Sequence, residues 1–303
     1  MDYLIAGLKV KSAVAIEKAT SLEHGGIADP DVTIEFCAQI GVPSNVHFSN
    51  EFIVAGDQDF LFRPKNDLAF RVRHGSEIMI SAGSAISDND VNLFLMGSAW
   101  GVLCHQRRLM PLHCSAVRFA NRAFAFTGPS GAGKSTLAAG LSRRGYAHFC
   151  DDVCVVERSD NKIVLQPMPK GLKLWSDATD ALGLERGTAL GIDKSRDKYY
   201  VSLPESSDST SLDLCALYVL TDADTKQPSI AKIRGRAHIH DLLSSIYRGE
   251  WLSLIRDPAD VFVEIASMAK KFEMFRFSRP RDMNRFSEGL DLLEAHMSAL
   301  IER

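Results

Sequence analysis

The stretch Gly128-Pro129-Ser130-Gly131-Ala132-Gly133-Lys134-Ser135 fits the spacing G-x-x-x-x-G-K-[ST], with Gly131 as an extra internal glycine. Glycines there let backbone N–H groups close around a phosphate without Cβ clashes. A helix starting at the loop's end points its positive pole at the same anion. The Lys134 ammonium can reach β- and γ-phosphates, and the Ser135 hydroxyl can ligate Mg²⁺. The residue types therefore predict a nucleoside triphosphate, ATP with Mg²⁺, bound on Gly128 to Thr136.

Two further features stand at suggestive distances. The acidic pair Asp151-Asp152 lies 17 residues after Lys134. At the carboxyl end of the next strand of an α/β sheet, it would sit beside the phosphates. One carboxylate could then hold Mg²⁺ and another accept a proton from an attacking hydroxyl. The competing use of such a pair is to cap a turn before a hairpin. His113 lies 15 residues before Gly128, at the head of a strand expected beside the loop strand. A lone histidine is more often a satisfied core or surface group.

These groups need a scaffold, and the flanking sequence supplies one. Leu112–Phe119 and Ala123–Thr127 are strand candidates, the second running straight into the glycine loop. A helix follows from Ser135 to about Arg144, with Gly145 as its natural C′ residue. Tyr146–Cys150 is a short strand, Val153–Glu157 with Ile163–Gln166 a hairpin, and Leu212–Thr221 a core strand. Helical patterns recur near 238–249, 258–271 and 283–302. The segments 193–198 and 206–211 are polar loops. Upstream, residues 1 to about 85 read as short strands, among them Asp31–Phe36, Leu68–Arg73 and Glu77–Ile80, with hairpin connections near 56–59 and 63–67. A buried helix starts at Ser87-Asp-Asn-Asp90, whose side chains can cap free N–H groups, and runs towards Arg107. The expected division is a β-rich region, 1–86, and an α/β domain, 87–303.

Composition excludes several classes. A net charge of −3 gives no electrostatic case for nucleic acid or an acidic membrane surface. Apolar stretches are broken before about 18 residues, so no membrane span is expected. Met1-Asp-Tyr-Leu-Ile lacks the basic region and cleavage site of a secretory signal. The six cysteines include Cys150 and Cys154 flanking the acidic pair. With no second Cys or His pair at ligand spacing, reduced, mostly buried thiols and a cytoplasmic protein are expected.

Leu112-His-Cys-Ser-Ala-Val, Phe126-Thr-Gly-Pro-Ser-Gly-Ala-Gly-Lys-Ser-Thr, Arg144-Gly-Tyr and Asp151-Asp-Val together resemble the catalytic domain of HPr kinase/phosphorylase over about residues 109–160. The resemblance implies a PEP-carboxykinase-like P-loop architecture. It also implies Asp151 as general base towards a substrate serine, with Asp152 and His113 as its partners at the phosphate and metal site, and Lys134 and Ser135 as phosphate and Mg²⁺ contacts. Related enzymes look oligomeric, which implies a homo-oligomer. The family's Arg-Gly and Gly-Ile-Ile stretch is absent, and Pro169-Lys-Gly-Leu-Lys-Leu-Trp175 stands in its place. Phosphorylase activity is therefore not carried over. The N-terminal half does not look like the usual regulatory domain. The chain resembles the diverged HPr-kinase-like group, some of whose members resemble serine kinases of ribosomally made peptides, as in lasso-peptide clusters.

Three functions fit. The first is an ATP-dependent serine kinase acting on a protein or peptide, with Asp151 as base, Lys134 as phosphate clamp, and Ser135 with Asp152 holding Mg²⁺. The second is a nucleotide-gated binding module that hydrolyses ATP slowly. The third keeps the kinase chemistry on a small alcohol such as free serine. Further positive charge is needed around the transferred phosphate. Lys170, Lys173, Arg196, Lys198, Arg234 and Arg236 are candidates, each also a plausible solvated surface charge. Lys198 stands out because it opens an apparent strand.

Overall fold

In the computed structural model, residues 1–22, 27–159, 161–169, 171–190, 198–201, 203, 210–221 and 225–303 are described. Arg196, Lys170 and most of both polar segments lie outside them. The chain forms two compact units. The first is Met1–Pro111 with Pro167–Pro169 and Tyr247–Val263, and the second is Leu112–Gln166, Lys170–Ile246 and Glu264–Arg303.

The first unit is built on β1 (Asp2–Ile5), β2 (Leu8–Ser12), β3 (Val32–Phe36), β4 (Ile53–Gly56), β5 (Asp59–Lys65), β6 (Leu68–Arg73) and β7 (Glu77–Ala82). With two-residue strands at Thr20–Ser21 and Phe48–Ser49, they form one sheet ordered 20–21, β1, β2, β3, β7, β6, β5, β4, 48–49. Alternation along β6 buries Leu68, Phe70 and Val72 and leaves Ala69, Arg71 and Arg73 partly open, as a one-sided sheet requires. Arg71 grips Asp59 on the neighbouring strand through both carboxylate oxygens, at 2.8 and 2.6 Å.

A helix also belongs to this unit. Ser87 Oγ accepts from the Asp90 N–H and starts α1 (Asp88–Phe94). The expected continuous helix is interrupted by a π turn, Leu95–Ala99, before α2 (Trp100–Gln106). Tyr247 accounts for the small residues here. A Cβ on Gly97 would meet its hydroxyl at 3.0 Å, and one on Gly101 would meet its ring at 2.9 Å.

The second unit contains β8 (Cys114–Phe119), β9 (Arg122–Thr127), α3 (Lys134–Arg143), β10 (Ala147–Cys150), β11 (Cys154–Ser159) and β12 (Lys162–Leu165). Then come β13 (Leu172–Trp175), α4 (Ser176–Ala181), β14 (Lys198–Val201), β15 (Leu212–Thr221), β16 (Ser229–Lys232), α5 (Arg236–Ser244), β17 (Glu273–Ser278) and α6 (Phe286–Ile301). The main sheet runs β11-β12-β15-β9-β8-β10, with β17 on the far part of β15 and β16 beside it. The architecture is mixed α/β. β9, β15 and β17 are mutually parallel, and β8 is antiparallel to both β9 and β10. The carboxyl ends of β9, β10, β15 and β17 thus share one edge, and the loops that follow them emerge together. β13 and β14 pair in a separate small sheet with Ala189–Leu190.

α3 lies in this unit's core. Leu137 and Leu141 pack with Phe124, Phe126, Tyr218, Phe277 and the α6 residues Phe286, Leu290 and Leu293. Gly140 permits the close approach, since a Cβ there would meet the Phe286 ring at 2.6 Å. Gly145 ends the helix in the left-handed region, at φ 98°. Among the described residues, no helix is long and apolar enough to cross a membrane.

The expectation of reduced thiols is corrected at two positions: Cys150 and Cys154 form a disulfide, with their Cα atoms 5.9 Å apart. The physical reason is the turn between them. Asp152 takes φ 70°, which folds the chain back and brings the two ends of Cys150–Cys154 together. Cys37, Cys104, Cys114 and Cys215 are free.

Candidate active site

β9 delivers the chain to Gly128 at a crowded point, where a Cβ would lie 2.8 Å from the Leu220 carbonyl on β15. Gly131 and Gly133 take φ of 79° and 92°, a left-handed geometry open to glycine at little cost. The Ala132 N–H closes a turn on Pro129 O at 3.1 Å, and α3 begins at Lys134. The loop therefore presents backbone N–H groups and a helix N-terminus to one space. Lys134 Nζ donates to Gly128 O at 2.9 Å and Pro129 O at 3.1 Å. Burial pushes its ammonium below the usual lysine range, against the opposing pull of Asp151 and Asp152.

Asp151 follows β10 at the shared edge. Its Oδ1 accepts from Ser115 Oγ at 2.5 Å and from Ser135 Oγ at 2.8 Å, and its Oδ2 accepts from the Lys173 backbone N–H at 3.1 Å. These three neutral donors fix the carboxylate beside the glycine loop. Ser115, two residues after His113 on β8, is a partner that the sequence did not single out. Strand alternation puts positions i and i+2 on one face, and that signal was available.

Asp152 points to other partners. Lys173 Nζ meets its Oδ2 at 3.1 Å, and His113 Nδ1 lies 3.3 Å from its Oδ1 and 3.1 Å from its backbone O. Burial works against the charged form, but Lys173, His113 and Lys198 outweigh it and hold the carboxyl well below the ordinary range. For Lys173, burial opposes the ammonium and Asp152 overrides it, raising its pKa.

A carboxyl whose folded pKa is depressed contributes stability above its unfolded value of about 3.9, and that contribution is lost as pH falls through the folded value. Lys173→Met leaves the Asp152 charge without its main partner and is expected to destabilise the protein by about 2 kcal/mol or more at pH 7. It should also flatten the acid limb of stability against pH below about 4. Denaturant melts from pH 7 to pH 3 check both, and a limb as steep as that of the unsubstituted protein would show that the pair does not control it.

These groups line a cavity of about 330 Å³ with Trp175, Lys198, Arg279 and Arg281. The structure thus brings together His113, the glycine loop, Lys134, Ser135, Asp151 and Asp152. Of the additional cations expected from sequence, Lys173 and Lys198 reach this space, Lys198 lying 5.2 Å above the Trp175 ring. Arg234 lines a separate cleft with Lys232 and Lys271. Arg279 and Arg281 went unnoticed in the sequence. They follow β17, a strand hidden between two helical patterns, and the rule that sites form at strand carboxyl ends would have found them once that strand was recognised.

No family model and no curated protein matches the chain. Among solved structures, the HPr(Ser) kinase/phosphatase from Coxiella burnetii is similar over 62% of this chain and 97% of that one, at 12% identity and a TM-score of 0.32. A likeness that weak fixes neither fold nor activity.

Proposed function

We propose that the protein is an ATP-dependent serine kinase that moves the γ-phosphoryl group to a hydroxyl of a protein or peptide. The second unit is read as a PEP-carboxykinase-like P-loop domain of the diverged HPr-kinase-like kind. The observation that carries the proposal is the Asp151 carboxylate, which has no ion-pair partner among the described residues and accepts from the Ser135 hydroxyl at 2.8 Å. A site that only sensed nucleotide would not need a second carboxylate at the phosphates beyond the one paired with Lys173.

In this reading Asp151 takes the proton as the serine oxygen forms its bond to the γ-phosphorus. The bond from that phosphorus to the bridging oxygen breaks, and ADP leaves with the electron pair. Lys134 and the loop N–H groups bind the phosphates. Mg²⁺ supplies charge neutralisation at those phosphates. Ser135 and Asp152 suit it as hard oxygen donors, and Mg²⁺ sites commonly take one or two carboxylates and complete their shell with phosphates and water. Both residues line one cavity beside the glycine loop.

The test is transfer from γ-labelled MgATP to HPr, to a panel of serine-bearing precursor peptides and to free serine, with Lys134→Ala as control. Label on a peptide or protein that vanishes in the control supports the proposal. Label on free serine alone moves the acceptor to small alcohols. Phosphate release with no labelled acceptor favours the nucleotide-gated module.

A further inference from the structure

Arg279 stands where β17 gives way to the loop before α6, at the edge where the phosphate loop emerges. Its guanidinium rests on the loop backbone, since a Cβ on Gly133 would lie within 2.4 Å of Nη2. Its stem packs along α6, 3.4 Å from where a Gly289 Cβ would be, and the guanidinium lies 5.3 Å from the centre of the Phe286 ring. The position is therefore fixed by packing and is not that of a freely swinging surface chain.

The group is half-buried, and its hydrogen bonding within the chain is slight. Among the described residues its one bond is a long contact, 3.4 Å, from Nη1 to the adjacent Pro280 carbonyl. No carboxylate among the described residues pairs with it. The neighbouring charge that acts on it is Arg281, of like sign, and burial together with Arg281 lowers its pKa. A cation half withdrawn from water beside another cation, with little hydrogen bonding among the described residues, gains from an anion that completes the site. Lys173, by contrast, is already committed to Asp152.

We propose that Arg279 is a nucleotide-binding residue, clamping the polyphosphate against the Gly133 end of the phosphate loop opposite the Lys134 ammonium. This rests on the nucleotide reading above. A planar guanidinium suits the task because its fork meets two phosphate oxygens at once. Gly133 then has two reasons to be glycine: its left-handed φ and the space that the guanidinium occupies.

Binding of MgATP to the unsubstituted protein, Arg279→Gln, Arg279→Met and Arg279→Lys tests this by calorimetry, with the unfolding midpoint of each nucleotide-free protein measured alongside. Arg279→Gln and Arg279→Met are expected to weaken MgATP binding about 10- to 100-fold, the range for a lost charge-assisted pair. The nucleotide-free midpoints should stay level or rise, because an uncompensated charge has gone. Arg279→Lys should recover part of the affinity. Unchanged affinity in Arg279→Gln would overturn the assignment. So would lowered midpoints in both neutral variants, which would assign Arg279 to packing. Failure of the unsubstituted protein to bind MgATP would instead overturn the nucleotide reading, and this inference with it.

Discussion

Asp151→Asn is expected to lower phosphoryl transfer by about 10²- to 10⁴-fold, the usual contribution of a positioned general base, while MgATP affinity changes by a factor of about three or less. The substitution keeps the shape and removes the proton acceptor. Its structural side effect can be stated in advance. Asp151 accepts from Ser115 and Ser135 on one oxygen and from the Lys173 N–H on the other. Asparagine has a single acceptor oxygen. If that oxygen keeps the two hydroxyls, the amide N–H₂ faces the Lys173 N–H, donor against donor, costing about 1–3 kcal/mol. Single-turnover transfer must therefore be measured below the variant's unfolding midpoint. Normal turnover in Asp151→Asn would remove Asp151 from the base role. Ser115→Ala, which takes away one of three donors and leaves the carboxylate, separates positioning from proton transfer and should slow the reaction far less.

The strand, glycine loop and helix of the candidate site were legible because their signal is local. Gly128 to Ser135, the apolar strand before it and the helix after it lie within some twenty consecutive residues. Each follows from glycine geometry or from periodicity. Lys198 was legible for the same reason, opening a strand whose apolar pattern is continuous. The Asp152–Lys173 pair was not. The two residues stand 21 positions apart, Asp152 in the turn after β10 and Lys173 on β13, and no local pattern tells which of several lysines an aspartate will meet. Arg279 was hidden by its strand. Glu273–Ser278 buries Met274, Phe275 and Phe277, an irregular pattern that reads as neither clean alternation nor a helix face. In the first unit, β3 and β7 were visible as strands. Their parallel pairing with each other, and that of β3 with β2, was not, since alternation specifies a face and not a neighbour. The Cys150–Cys154 bond turned on one left-handed aspartate, a conformation that sequence does not announce.

On the proposed nucleotide reading, MgATP stabilises the protein and Lys134→Ala should abolish that stabilisation. At a nucleotide concentration one hundred times its dissociation constant, a ligand that binds only the folded state adds about 2.7 kcal/mol. For a unit of this size that raises the unfolding midpoint by roughly 5–10 °C. Removing the ammonium takes away the charge proposed to meet the phosphates, so the shift in Lys134→Ala should fall to near zero. Without nucleotide the outcome is different. Lys134 is buried with its pKa lowered, so the folded chain binds this proton less tightly than the unfolded chain. Its charge therefore opposes folding at neutral pH, and the opposition fades as pH rises through the folded value towards the unfolded one, about 10.4. Alanine removes that cost together with the ammonium's hydrogen bonds to Gly128 O and Pro129 O. The two changes have opposite signs, and the nucleotide-free midpoint should move much less than the MgATP shift that is lost. A scan of unfolding midpoint against MgATP concentration for both proteins measures the two effects together. A retained MgATP shift in Lys134→Ala would mean that the loop does not bind the phosphates. A large fall in the nucleotide-free midpoint would instead make Lys134 a structural brace of the loop.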